Sequence, residues 1–183
     1  AVAVPANTPP ELLPRKPGLL PVPQDDPAAA AAAIAAYAAA APLAAILPVD
    51  DSGVMAAAAA AERLGLAHNA PQAAAAARDK LLMRNLMAAA GAPCPWFRAF
   101  RTDDDPALVA AQVPYPCVLK PTGLNGSRGV MRADDPAEFV VRAARLAQLL
   151  RAEAGPGPHP YLVEAFIPGF EVALEGLLDG GRL

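Results

Sequence analysis

Lysine is scarce in this 183-residue chain: Lys16, Lys80 and Lys120 stand against twelve arginines. Aromatic residues make up only 5%, so a core must be assembled from Leu, Val, Ile and Ala with few large anchors. Histidine is limited to His68 and His159, which lie in separate segments beside Asn69 and Pro160 and read as loop residues rather than catalytic bases. Cys94 and Cys117 form no CxxC and have no histidine at ligand spacing. That removes a zinc motif, suits a reducing cytosol, and leaves Cys117, within an apolar run, as a small core residue. A net charge of −3 and a pI near 5.3 give no basic footprint for nucleic acid. Residues 27–49 carry no formal charge, yet they are mostly alanine and broken by Pro42. Arg15 and Lys16 imitate the basic part of a signal peptide, but Asp25 and Asp26 intervene too far along the chain. The expectation is a soluble, cytoplasmic protein with neither membrane nor nucleic-acid partner.

What is present is punctuated. Residues 1–27 hold eight prolines and little periodicity, which predicts an extended or incomplete segment with Leu19–Val22 as a short edge strand. Asp26 and Pro27 then start a helix through the alanines to about Ala40. Leu43–Val49 reads as a buried parallel strand, and Asp51 or Ser52 as the cap of a helix over Val54–Leu64 closed by Gly65. This is an α/β pattern. A helical stretch follows over Gln72–Ala90, ending at Gly91. Beyond Pro93 the pattern becomes α+β, with strands over Trp96–Phe100, Pro114–Lys120, Gly129–Arg132, Tyr161–Phe166 and Glu171–Leu178. Pro106 opens a short helix, and Asp135, Pro136 and Glu138 start an amphipathic one whose apolar stripe is Phe139, Ala143, Leu146 and Leu150. Asp179–Gly181 reads as a turn, after which the chain looks cut.

Tyr115–Val130, YPCVLKPTGLNGSRGV, carries the chemistry. It sets Lys120 at the end of an apolar strand, directly before a loop containing Gly123, Gly126 and Gly129. A compact ammonium beside backbone N–H groups freed by glycine suits a polyphosphate. A plain surface hairpin is the alternative reading of the same residues. A Walker A loop needs its lysine after the glycines and a helix behind, and here the lysine precedes them and a strand follows. A Rossmann fingerprint also needs a helix behind the glycines.

At this point the residues resemble the ATP-grasp superfamily, in the branch of biotin carboxylase, the carbamoyl-phosphate synthetase large chain and L-amino-acid ligases. VLKPTGLNGSRGVMRADDPAEF is similar to its N-terminal lobe. ARDKLLMRNLMAAAGAPCP resembles the helix carrying a first ATP-contacting lysine, YLVEAFIPGFEV the hinge strand, and LPVDDSGVMAAAAAAERLGLAHNAP the end of a preceding α/β domain. The resemblance implies a partial pre-ATP-grasp domain with a parallel sheet over residues 28–77, and an ATP-grasp N-terminal lobe, hinge and first strand of the C-terminal lobe over 78–183. It assigns Lys80 to the α-phosphate side and Lys120 to the α/β-phosphates and the adenine edge. Gly123–Gly129, with Ser127 and Arg128, becomes the mobile lid over the β/γ-phosphates. Glu164 accepts from the adenine amino group, backbone atoms of Ala165 and Phe166 complete adenine recognition, and Glu171 holds the ribose.

The implied activity is ATP-dependent joining of a small carboxylate and an amine through an acyl phosphate, with ATP and Mg²⁺ as cofactors. The family's magnesium ligands and the substrate-binding arginine fall in a C-terminal lobe beyond Leu183, so the chain reads as a fragment inactive by itself, with no metal ligand and no assigned catalytic residue. A homodimer is left open by the resemblance. Two other classes remain: a non-catalytic nucleotide-binding module, and a structural or interaction domain.

Overall fold

The computed structural model describes residues 2–5, 8, 19–23, 25–174, 176 and 182. By their contacts they fall into two units. One takes the described residues up to Cys94 together with Pro121–Arg128, the other Pro95–Lys120 and the described residues from Gly129 onward.

In the first unit, β1 (Val2–Pro5) pairs in parallel with β2 (Leu19–Val22), Val2 opposite Leu19 and Pro5 opposite Val22. The expected strand over Leu19–Val22 is therefore present, while the strand in the Pro-rich text before it was not anticipated. Helix α1 (Pro27–Ala40) starts where Asp26 accepts from the N–H groups of Ala28 and Ala29, at 3.1 and 3.0 Å. Pro27 fills the first helical position, where no N–H is needed. Helix α2 (Val54–Leu64) ends at Gly65, whose φ of 65° lies in the left-handed region that glycine enters without penalty. Alanine lets the two helices approach closely. Val22, Ala30, Ala31, Ile34, Ala56 and Ala60 form one buried cluster.

Two expectations fail in this unit. Leu43–Val49 forms no strand, and Leu47 and Val49 are 73% and 94% exposed. Pro42 and Pro48 bracket the run, and Pro48 has no N–H to give a ladder, so only Leu43 and Ile46 turn inward onto the cluster. The cap before α2 is not Asp51 or Ser52. Asp50 accepts from the Ser52 and Gly53 N–H groups, at 2.7 and 3.3 Å, and starts a single 3-10 turn, Asp51–Gly53, that runs into α2. The helical stretch expected over Gln72–Ala90 consists of two helices, α3 (Pro71–Arg78) and α4 (Lys80–Ala89). Asp79 separates them in extended conformation and caps α4 through the Leu81 and Leu82 N–H groups, because its short carboxylate competes with the backbone ladder for donors.

The second unit holds β3 (Phe97–Arg101), α5 (Pro106–Ala110), β4 (Cys117–Pro121), β5 (Met131–Ala133), α6 (Pro136–Ala154) and β6 (Pro160–Ala165). Strand limits differ from the expected ones by one to three residues. The sheet order is β3-β6-β4-β5, with β3 and β6 antiparallel and β4 and β5 antiparallel. Asp105 and Asp135 cap the two helices ahead of proline, and the Asp134 N–H donates to Glu138 at 3.0 Å. Phe139, Ala143, Leu146 and Leu150 are all buried, as their helical spacing requires. They share the core with Cys117, Leu119 and Leu162, none of which is exposed. Burial, and secondarily the Asp134 charge, pushes the Cys117 thiol up to about 11. The strand expected over Glu171–Leu178 is absent from 171–174, which form neither helix nor strand. Residues 175, 177 and 178, and the turn expected at Asp179–Gly181, lie outside the described residues.

Candidate functional site

Two groups of the expected residues come together, one in each unit. In the sheet, β4 carries Lys120 and its neighbour β6 carries Glu164, and their side chains form an ion pair at 2.5 Å. Lys120 keeps 15% of its side chain exposed and Glu164 only 6%. Among the described residues, Glu164 is the buried charged residue. A carboxylate leaves water only when a cation or several donors replace it, so Lys120 is what makes this position tolerable. The register across the sheet sets Phe97 opposite Glu164 on the other flank of β6. The sequence offered both residues as nucleotide contacts but gave no sign that they contact each other.

β6 ends at Ala165, where the hinge was expected, and the donors there are largely committed. The Ala165 N–H donates to the Trp96 carbonyl at 2.8 Å, and the Phe166 N–H to the Pro116 carbonyl at 2.9 Å. The next N–H along, that of Ile167, lies beyond the end of the strand. The Arg132 guanidinium lies 4.2 Å from the centre of the Phe166 ring while bonding Asp134 at 2.5 Å. Sequence reading missed Arg132, and its only signal was alternation along a three-residue strand. Glu171 is exposed among residues 171–174.

In the first unit, Lys80 is the first residue of α4. Its N–H donates to the Thr122 carbonyl at 2.9 Å, and its ammonium to the Leu124 carbonyl at 2.6 Å. The glycine loop is tightly turned, with Gly126, Ser127 and Gly129 at φ of 60°, 56° and 74°. Two of these are glycines, for which such angles cost little, and Ser127 holds the same left-handed conformation without that freedom. The Arg128 N–H donates to the Asn125 carbonyl at 3.3 Å. Nothing crowds the position of a Cβ at Gly123 or Gly126.

Among the described residues, no three His, Cys, Asp or Glu side chains gather as ligands for a metal ion. A cavity of about 270 Å³ is lined by Gly129, Val130, Met131, Arg145 and Leu149, and neither Lys120 nor Glu164 borders it. Among the described residues, no helix is long and apolar enough to cross a membrane.

Comparison with known proteins finds likeness in sequence and in fold. Residues 113–182 fit the family model of the ATP-grasp domain. The uncharacterized protein y4rH of Sinorhizobium fredii is 34% identical over 113 residues, 56% of this chain and 23% of that one. The carbamoyl phosphate synthase large chain of Mycobacterium tuberculosis is 27% identical over 135 residues, 66% of this chain and 11% of that one. Among solved structures, L-amino acid ligase from Bacillus licheniformis superposes with a TM-score of 0.60 at 22% identity, over 82% of this chain and 33% of that one. An ADP complex of N5-carboxyaminoimidazole ribonucleotide synthetase gives 0.61 at 18%, over 82% and 36%. At such identities the structural likeness speaks for the fold. The resemblance to ATP-grasp ligases read from the motifs is borne out in sequence and in fold. The chain spans between a tenth and a quarter of the length of these curated relatives, and about a third of these solved structures.

Proposed function

We propose that this chain is the ATP-binding part of an ATP-grasp ligase that joins a small carboxylate to an amine through an acyl phosphate. The observation that carries the reading is the buried Lys120–Glu164 pair. It stands at the strand leading into a glycine loop, within the segment that fits the ATP-grasp family model.

Lys120 presents a fixed ammonium to the α- and β-phosphates, and Glu164 holds it there before ATP arrives. A preplaced charge loses less reorganisation energy than one that must be collected from solvent. Glu164 also accepts from the adenine amino group. With the N–H groups of Ala165 and Phe166 spent on Trp96 and Pro116, these two residues meet adenine through their carbonyls, and the next donor along the hinge is the Ile167 N–H. Glu171 takes the ribose hydroxyls. Lys80 takes the α-phosphate side. Gly123, Gly126, Ser127, Arg128 and Gly129 cover the β- and γ-phosphates, where glycine leaves backbone N–H groups free to donate. In the whole ligase the carboxylate oxygen attacks the γ-phosphorus, ADP leaves, and the amine then displaces phosphate from the acyl carbon. That transfer calls for positioning and neutralisation more than covalent help from the protein. A magnesium ion bound with ATP would supply further neutralisation, and the described residues offer it no ligand set.

Titration of ATP into this chain by calorimetry tests the reading. The Lys120→Met, Glu164→Gln double variant removes the ammonium without stranding a buried charge. Its affinity is expected to fall at least about tenfold, the size of one lost charge-assisted hydrogen bond. Unchanged affinity in a folded double variant would sink the phosphate role of Lys120.

A further inference from the structure

Lys80 reaches two carbonyls of the glycine loop two residues apart, Thr122 through the N–H and Leu124 through the ammonium. A lysine at the first position of a helix is poorly placed for its own helix, since the positive end of the dipole lies there. A carbonyl dipole directed at the ammonium offsets that repulsion, and here the carbonyl belongs to the loop. Residues Pro121–Arg128, although strung between β4 and β5, belong by their contacts to the unit that contains α4. We infer that Lys80 is a positioning residue for the glycine loop, clasping it onto the start of α4 whenever no nucleotide is bound.

The consequence for nucleotide binding rests on the function proposed above. The Lys80 ammonium then serves the loop carbonyl in the empty protein and a phosphate oxygen in the loaded one. A phosphate oxygen carries a full charge and outcompetes a neutral carbonyl for the same donor. The ammonium has three donors, so arrival of the nucleotide weakens the hold at Leu124 as the group turns toward the phosphate. The Thr122 bond, made by the backbone, is untouched by that change and sets where the loop pivots. The strained left-handed run at Gly126 and Ser127 lies just beyond that pivot.

The clasp is tested without any nucleotide, so its failure is separate from failure of the ATP reading. Amide hydrogen exchange is followed in this chain and in Lys80→Gln and Lys80→Arg. In Lys80→Gln the amides of residues 123–128 are expected to exchange about tenfold faster, as befits loss of one hydrogen bond to a charged group. Amides of α6 should be unchanged, and Lys80→Arg should restore part of the protection. Equal loop exchange in wild type and Lys80→Gln, with melting temperatures matched, overturns the clasp. A second measurement needs no variant. Only three lysines are present, so ¹⁵N-labelled lysine ammonium groups give three assignable signals. The Lys80 ammonium protons should exchange more slowly than those of free lysine, and equal rates would likewise overturn the clasp.

Discussion

Lys120 and Glu164 carry the most consequence per atom in this chain. Each is tolerable in its half-closed surroundings because of the other, so neither behaves as an independent ligand group. Removing one partner leaves a charge stranded away from water, whereas removing both leaves an apolar contact. Lys120→Met alone and Glu164→Met alone should each destabilise the chain by about 3 kcal/mol, while the two together should recover most of that loss. Urea unfolding of the four species closes the cycle, and additive single effects would mean the two charges are solvated independently. The sequence had named both residues. It could not join them, because the join depends on β6 lying beside β4, and nothing local to either strand encodes its neighbour.

At the scale of the element, aspartate sets most of the boundaries. Asp26, Asp105 and Asp135 each precede a proline, and the helices behind them begin where that pairing predicts. Such starts are legible because capping is a contact between residues two or three apart. Asp79 and Asp50 lacked a proline to mark them, and their caps were missed or misplaced by a residue. Leu43–Val49 was misread for a different reason. Its composition suits a strand, but a strand also needs a partner with a free edge, and proline removes a donor from the run. Asp50 gives a pH test. The Ser52 hydroxyl, followed by the Ser52 N–H, holds its carboxyl below the ordinary carboxylate range. A carboxylate with a lowered folded-state value contributes stability above its ordinary value and loses it as pH falls through the folded one. The stability difference between wild type and Asp50→Ala should therefore be present at neutral pH and vanish well below about pH 4. Thermal unfolding across that range measures it, and a difference constant down to pH 2 would exclude Asp50 as the source.

At the scale of the whole molecule, the proposed function makes stability depend on ligand. A nucleotide that binds only the folded chain should stabilise it by about 2.7 kcal/mol at a hundred times its dissociation constant. Denaturant midpoints with and without ATP measure this, and at the same ATP concentration a tenfold weaker Lys120→Met, Glu164→Gln double variant should keep only about 1.4 kcal/mol of it. A shift undiminished in the double variant would move the nucleotide away from these strands. By itself the sequence determined the helix starts at Asp26, Asp105 and Asp135, the buried stripe of α6, and a lysine leading into a glycine loop between two strands. Each of these rests on residues within a few positions of one another, where side-chain spacing and capping chemistry act directly. Tertiary structure alone decided that Lys120 meets Glu164, that the Lys80 ammonium donates to the Leu124 carbonyl, and that the Ala165 and Phe166 N–H groups are spent on Trp96 and Pro116. Those contacts join residues remote in sequence, and their partners are chosen by strand order and loop path, which only the folded chain defines.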